Sequence, residues 1–225
     1  MKKVLVIDIG GTNVKLLATG HSVARRFASN PKMTPREMVA EVKRLAADWK
    51  YDVVSIGYPG VVRGGRVALD PKNLGPGWVG FDFKAAFRRP VKLINDAAMQ
   101  ALGSYHGGLM LFVGLGTGVG SALIADGVVV PMELGHLSYR QRTYEDYVGL
   151  RGFKWLGKAR WRKHVVDIVK RLIGAIHPDD VVVGGGHAKE LGHVSRTCRM
   201  GSNANAFVGG MRLWENGKRK GKATS

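Results

Sequence analysis

Cysteine is almost absent from this 225-residue chain, which contains a single one, Cys198. A lone thiol cannot close an internal disulfide, and it cannot supply the cysteine cluster of a structural zinc site. The chain also lacks any run of about 18 apolar residues, so we expect no membrane-spanning helix. The N-terminal apolar run contains Asp8 and is followed by no small-residue cleavage site, which does not fit a signal peptide. We therefore expect a cytoplasmic protein.

Acidic residues are scarce relative to basic ones. The chain has 35 Lys and Arg against 17 Asp and Glu, which gives a formal net charge of +18 and a pI of about 10.3. A field of that sign favours polyanionic partners, such as inorganic polyphosphate, nucleic acid or an anionic membrane surface. A basic surface that is merely solvated explains the charge equally well, because net charge says nothing about the fold or the reaction.

Glycine is abundant, and two of its clusters interrupt pairs of apolar strands. The first, Gly10–Thr12, lies between runs at 4–9 and 14–18, and the second, Gly114–Gly118, follows roughly a hundred residues later. Each predicts a tight hairpin whose glycines permit positive φ and let backbone N–H groups approach an anion. One such cluster is equally well an ordinary hairpin. The recurrence favours two half-molecules that grip a phosphate chain from both sides.

Two polar pairs follow predicted strands. Asn95-Asp96 lies where a strand meets a helix, and an aspartate there is most simply a helix N-cap. Glu133 and His136 are two potential metal ligands, but no third ligand is visible nearby, so we reject a catalytic metal at that point.

Two features of the first half have simple local readings. Thr34, followed by proline, predicts the start of a helix. In the loop from Asn73 to Trp78, the amide can both donate and accept hydrogen bonds, whereas the indole contacts a ligand or anchors the loop on the core with equal weight.

The segment 151–171 carries eight Lys or Arg and one acid, Asp167. Its apolar residues recur at helical spacing, so we expect an amphipathic helix first. The basic face of that helix is either solvated or a track for phosphates.

Taken together, four motifs resemble the ROK family of sugar kinases, which belongs to the actin-like ATPase superfamily. They are Asp8-Ile-Gly-Gly-Thr12, Asn95-Asp96, Gly114-Leu-Gly-Thr-Gly118 and Glu133-Leu-Gly-His136. The short chain and the motif sequence Glu-Leu-Gly-His are most similar to those of the polyphosphate/ATP glucokinases of that family. The resemblance implies an α/β protein with a two-lobed actin-like, ribonuclease H-like ATPase fold and an active-site cleft between the lobes.

The same resemblance implies a domain division. We expect a sugar and phosphate lobe at 1–106 and a nucleotide or donor lobe at 107–202. A helix at 203–215 is expected to return to the first lobe, and a basic, disordered tail is expected at 216–225.

The activity implied by the resemblance is phosphoryl transfer from ATP, polyphosphate or both to the 6-hydroxyl of a hexose, with glucose as the expected sugar. Asp96 matches the family's catalytic base, and such a transfer needs a carboxylate to accept the hydroxyl proton. Asp8 would help to hold Mg²⁺. The residues expected at the sugar are Asn73, Asn95, Asp96, Glu133, His136 and Glu145, the last at a spacing that departs from the family pattern.

The resemblance also implies the residues that hold the donor. They are Asp8, Gly10, Gly11, Thr12, Lys15, Gly114, Gly116, Thr117, Gly118, Gly184, Gly185 and Gly186, the last three resembling the family's adenosine-side loop. Many ROK proteins carry a cysteine-rich zinc motif after Glu-x-Gly-His, but residues 137–142 contain no cysteine. We therefore predict no structural zinc.

The alternative function is a non-catalytic protein of the same family that binds a polyanion or nucleic acid. ROK repressors carry an N-terminal helix-turn-helix, for which the early first strand leaves no room, so nucleic acid is the weaker expectation. We expect no membrane partner. By analogy with the family, we expect a homodimer.

Overall fold

The computed structural model describes residues 2–192 and 197–215, and the predicted basic tail at 216–225 lies outside these ranges. The described chain divides into two compact units. The first contains the residues up to Met99 and those from Ala206 onward, and the second is Gln100–Asn205. Two helices, α3 and α6 below, each contribute residues to both units.

The first unit is built on a five-stranded sheet in the order β3-β2-β1-β4-β7. The pairs β1–β2 and β2–β3 are antiparallel, whereas β1–β4 and β4–β7 are parallel. The elements in chain order are β1 (Val4–Ile9), β2 (Asn13–Ala18), β3 (Arg25–Ala28), α1 (Pro35–Leu45), β4 (Val53–Tyr58), β5 (Val62–Arg63), β6 (Arg66–Val67), α2 (Phe83–Phe87), β7 (Val91–Asn95) and α3 (Asp96–Ser104).

Local sequence signals explain how these elements begin and pack. Thr34 caps α1 through a complete capping box with Glu37, as the Thr-Pro pair predicted. Strand β1 is buried along its whole length, because α1 covers one face and α6 (Asn205–Arg212) lies against the other. The close approach of α6 needs Gly210, where a Cβ would come within 2.3 Å of a Val6 methyl carbon.

The second unit repeats this sheet plan. Its five strands lie in the order β10-β9-β8-β13-β14, with antiparallel pairs on one side of β8 and parallel pairs on the other. Its elements are β8 (Met110–Leu115), β9 (Val119–Ala125), β10 (Val128–Met132), β11 (Ser138–Tyr139), β12 (Arg142–Thr143), α4 (Tyr144–Val148), α5 (Leu150–Ile176), β13 (Asp180–Gly184) and β14 (Cys198–Met200).

The long helix α5 is the amphipathic element that the segment 151–171 predicted. It is interrupted at Gly157, whose φ of 71° is non-helical. Its apolar face packs on the sheet, and the buried indole of Trp161 donates to the carbonyl of Val148 at 2.8 Å. Across the described ranges, no helix has the length and apolar character needed to cross a membrane.

Candidate active site

The first glycine cluster forms the hairpin between β1 and β2. The Gly10 N–H donates to the carbonyl of Asn13 at 3.0 Å, and a Cβ on Gly10 would lie 3.0 Å from that oxygen. Ser29, the residue after β3, holds the turn, because its hydroxyl donates to the Gly10 carbonyl at 2.8 Å and its N–H donates to the Thr12 carbonyl at 3.0 Å. Gly10 does not adopt a positive φ, and close backbone approach is what requires glycine at this position.

Asp8 lies on β1 beside this turn, opposite Lys15 on β2 and Gly57 on β4. Its side chain is only 7% exposed, and no hydrogen bond reaches its carboxylate from any described residue. Burial raises the pKa of Asp8 to about 6, and the nearby Lys15 charge opposes part of that rise. A buried carboxylate without a donor fits a divalent cation. Mg²⁺ commonly takes one or two carboxylates together with substrate phosphates.

Asn95 and Asp96 have different roles at the start of α3. Asn95 is the capping residue, since its Oδ1 accepts the N–H of Ala98 at 3.0 Å and its Nδ2 donates to the Gly60 carbonyl at 3.1 Å. Asp96 is the first helical residue, and its Oδ1 accepts the N–H of Ala97 at 2.8 Å. The simple reading of Asp96 as the N-cap is therefore wrong. Its half-buried carboxylate lies where the helix dipole favours negative charge.

Gly57 on β4 lies next to both Asp8 and Asp96. It pairs with Asp8 on one side and with Ile94 on the other. A Cβ at Gly57 would lie 2.4 Å from Cε of Met99 and 3.4 Å from Cα of Asp96, so α3 starts directly over this glycine. Asp8 and Asp96 thus both lie beside Gly57 at the same edge of the sheet.

The loop from Asn73 to Trp78 is held mainly by Asp70. The carboxylate of Asp70 accepts the N–H groups of Gly77, Trp78 and Val79. Trp78 is fully buried and lies 5.6 Å from the ring of Tyr58, so its anchoring role is what the structure supports. Asn73 is exposed on this loop.

The second glycine cluster forms the hairpin between β8 and β9. The Gly116 N–H donates to the carbonyl of Gly118 at 3.0 Å, which closes the turn, and Thr117 at its tip is exposed. The N–H of Leu150, at the start of α5, donates to the carbonyls of both Gly116 and Thr117. The turn is therefore shaped by α5 as well as by its own glycines.

Glu145 supports the same hairpin. Its Oε2 accepts the N–H of Val119 at 2.9 Å, and a Cβ on Gly118 would come within 2.4 Å of that oxygen. Gly135 packs here too, because its Cβ would lie 2.9 Å from the carbonyl oxygen of Val119. These contacts bring the Glu133–His136 turn against the hairpin.

Glu133 and His136 themselves are exposed at that short 3-10 turn. Neither side chain is hydrogen-bonded to another described residue. Their oxygen and nitrogen atoms are therefore available to a ligand, as acceptor and donor respectively. No cluster of three or more His, Cys, Asp or Glu is arranged to hold a metal within the described ranges.

The Gly184–Gly186 segment completes the group of motifs in the second unit. Gly184 ends β13 opposite Gly114, and Gly185 has a φ of +88°. A Cβ on Gly185 would lie 2.3 Å from the carbonyl oxygen of Leu115, the residue that enters the hairpin. His187, just beyond, donates its N–H to that same oxygen at 2.9 Å. The Gly114–Gly118 hairpin, the Glu133–His136 turn, Glu145 and this glycine segment thus lie together.

The remaining predicted site residues belong to the first unit, and all of them except the exposed Asn73 lie on the β1–β2 hairpin or where β7 meets α3. Asp8, Gly10, Gly11, Thr12 and Lys15 belong to the β1–β2 hairpin, whereas Asn95 ends β7 and Asp96 begins α3. Ser29 and Gly57 are the supporting residues that sequence reasoning missed. The Gly57-Tyr-Pro-Gly60 turn was a visible signal for Gly57, whereas nothing in the sequence marks Ser29.

The sequence pattern of the ROK family matches residues 4–145, which is more than half of the chain. The chain belongs to the ROK family. It is 27% identical over 209 residues to the polyphosphate glucokinase of Mycobacterium leprae, covering 82% of this chain and 63% of that protein. The polyphosphate glucokinase of Mycobacterium tuberculosis is 27% identical over 210 residues, covering 82% of this chain and 77% of the relative.

A solved structure extends the comparison to the fold. The inorganic polyphosphate/ATP-glucomannokinase of an Arthrobacter species superposes with a TM-score of 0.82 at 25% identity, covering 95% of this chain and 98% of that one. The predicted family and the predicted α/β ROK sugar-kinase fold are therefore confirmed.

Proposed function

We propose that this protein is a ROK hexose kinase that transfers a phosphoryl group to the 6-hydroxyl of glucose, from ATP, from polyphosphate or from both. The observation that carries the proposal is the placement of Asp8 and Asp96 at one edge of the first sheet, with Gly57 between them. One carboxylate is buried without a donor among the described residues, and the other stands at a helix start. The names of the mycobacterial and Arthrobacter relatives support the sugar and both donors.

In this proposal Asp96 is the general base. The sugar oxygen forms the new bond to phosphorus, its proton passes to the Asp96 carboxylate, and the bond from phosphorus to the leaving phosphate oxygen breaks. The Ala97 N–H bonded to Oδ1 fixes the carboxylate in place before the sugar arrives. Such a base contributes about 10²- to 10⁴-fold to the rate.

The sugar is held mainly by Glu133 and His136, whose side chains have no bonds to other described residues. Asn95 and Glu145 each already hold a backbone group, so each offers only its remaining amide hydrogen or carboxylate oxygen. Asn73 is an exposed loop amide. We therefore expect the largest loss of sugar affinity from changes at Glu133 and His136.

The donor is held by the two glycine hairpins, with Thr12, Lys15 and Thr117 beside their backbone N–H groups, and by Gly184–Gly186. Asp8 would hold Mg²⁺, which when bound neutralises charge on the donor phosphates. Buried Asp8 fits that role because its carboxylate lacks a donor among the described residues. Magnesium dependence, a homodimer and a cytoplasmic location stay predictions.

Parallel reactions with glucose and Mg²⁺, supplied with either ATP or polyphosphate, test the proposal. We expect glucose 6-phosphate from at least one donor. If neither donor gives product across several hexoses, the kinase assignment is wrong, and the binding protein becomes the better account.

A further inference from the structure

The second unit carries a groove that the kinase site does not use. It has a volume of about 500 Å³ and runs along α5 where that helix faces the segment around Leu191. Its walls are formed by Ala159, Arg162, Lys163, Val166, Asp167, Lys170 and Leu191. Three of these side chains are cationic, and one is acidic.

The three cations of the groove are not neutralised by any residue that the structure describes. Arg162, Lys163 and Lys170 are exposed, and none of them has an ion-pair partner among the described residues. The three charges therefore add to a positive local potential that attracts an anion.

The acid among the described lining residues, Asp167, already has other partners. The Asp167 carboxylate accepts the hydroxyl of Tyr139 at 2.7 Å and the Arg171 Nε–H at 3.2 Å. The hydrogen bond from Tyr139, together with Arg171, holds the pKa of Asp167 below its usual range. Asp167 therefore stays ionised with its own partners and does not pair with Lys163 or Lys170.

The groove has the length and the shape for a linear anion. Arg162 and Lys170 are eight residues apart on the helix, a rise of about 12 Å, which is more than one phosphate group spans. The opposite wall approaches closely, since a Cβ on Gly192 would lie 3.2 Å from Nη2 of Arg162. The Lys158–Glu190 ion pair joins the same two segments.

The lining distinguishes between two phosphate polymers. Apart from its charged groups, the groove is aliphatic, with Ala159, Val166 and Leu191. Single-stranded nucleic acid binds most strongly where bases stack on aromatic rings, and the lining residues that the structure describes include none. The exposed Trp155 has the Arg142 guanidinium over its ring at 5.3 Å. These features favour a polymer of phosphate without bases.

We propose that this groove is an accessory binding site for inorganic polyphosphate, one that holds part of a long chain through Arg162, Lys163 and Lys170. The inference rests on the proposed function for its biological use, because polyphosphate is there a phosphoryl donor. Binding at the groove is nevertheless a separate property, which can be measured without any turnover.

The test compares direct binding of long-chain polyphosphate to three proteins at low salt. They are the wild type, the triple variant R162Q/K163Q/K170Q and a matched control, R36Q/K43Q/K50Q, which removes the same charge from exposed residues of the first unit. We expect at least tenfold weaker binding in the groove variant and less than twofold change in the control. The slope of log Kd against log salt concentration should be smaller by about 2 to 3 in the groove variant, because each lost phosphate contact lowers that slope by close to one.

Two further sets of measurements complete the experiment. Tripolyphosphate and a single-stranded oligonucleotide replace the long chain, and ATP-driven glucose phosphorylation is measured in all three proteins. We expect a small effect of the groove variant on tripolyphosphate and none on the ATP reaction. Equal weakening in the groove and control variants would overturn the proposal, and so would an oligonucleotide that binds the groove more tightly than polyphosphate. Absence of turnover in the wild type would refute the kinase assignment while the binding data still decide the groove.

Discussion

The hydroxyl of Ser29 donates a hydrogen bond to the backbone carbonyl of Gly10, 2.8 Å away, and so ties the first glycine turn to β3. A turn that must present N–H groups to phosphate is useful only if its geometry is fixed before the donor arrives. Ser29 is therefore a positioning residue in this account, and it touches no reacting atom.

Replacing Ser29 with alanine should raise KM for the phosphoryl donor by about three- to tenfold, the equivalent of one lost hydrogen bond. The KM for glucose should hardly move. Steady-state kinetics with each substrate varied in turn measure the split, and S29T, which keeps a hydroxyl, should restore the donor KM. A fall in stability with both KM values unchanged would show that the contact is only structural.

Asp8 should destabilise the folded protein at neutral pH in the absence of Mg²⁺. Its folded pKa of about 6 lies above its ordinary value of 3.8, so its contribution to stability is complete below pH 3.8 and is lost as the pH rises through about 6. A shift of about two units corresponds to about 3 kcal/mol, so D8N should be more stable than the wild type by up to that amount at pH 8.

Urea unfolding of both proteins from pH 5 to pH 8, with and without Mg²⁺, measures this difference. The gap between D8N and the wild type should widen with pH, and Mg²⁺ should stabilise the wild type alone. A gap that stays constant with pH would contradict the burial of an ionisable carboxylate at this position.

Gly185 and Gly186 give a matched pair of substitutions in the second unit. A Cβ on Gly185 would meet the carbonyl oxygen of Leu115 at 2.3 Å, and a side chain there would also require a residue with a φ of +88°. A Cβ on Gly186 meets nothing within 4 Å. G185A should therefore cost at least 1 to 2 kcal/mol of unfolding free energy. G186A should cost about 0.5 kcal/mol or less, the usual range for a surface substitution. Equal losses in the two variants, measured by denaturant unfolding, would refute this view of the segment.

The sequence predicted the elements and motifs well, because their signals are local. The Thr34-Pro35 pair marks the start of α1, and the glycine clusters mark both hairpins. The order of the motifs was enough to identify the family.

The supporting contacts could not be read in the same way, because they join residues that are distant in sequence. Ser29 reaches Gly10 only through the pairing of β2 with β3, and Gly57 matters only because α3 starts above β4. The choice of Asn95 over Asp96 as the cap depends on which side chain can reach the N–H of Ala98 in the folded turn. Strand register and packing, rather than local propensity, decide such details.

The central claim is that Asp96 accepts the proton of the sugar hydroxyl. The D96N variant keeps an oxygen for the Ala97 N–H and should fold normally, so turnover with glucose can be compared directly with glucose binding. We predict at least about a 100-fold fall in kcat with saturating donor, while the Kd for glucose changes by no more than about threefold. Turnover within tenfold of the wild type would contradict the account.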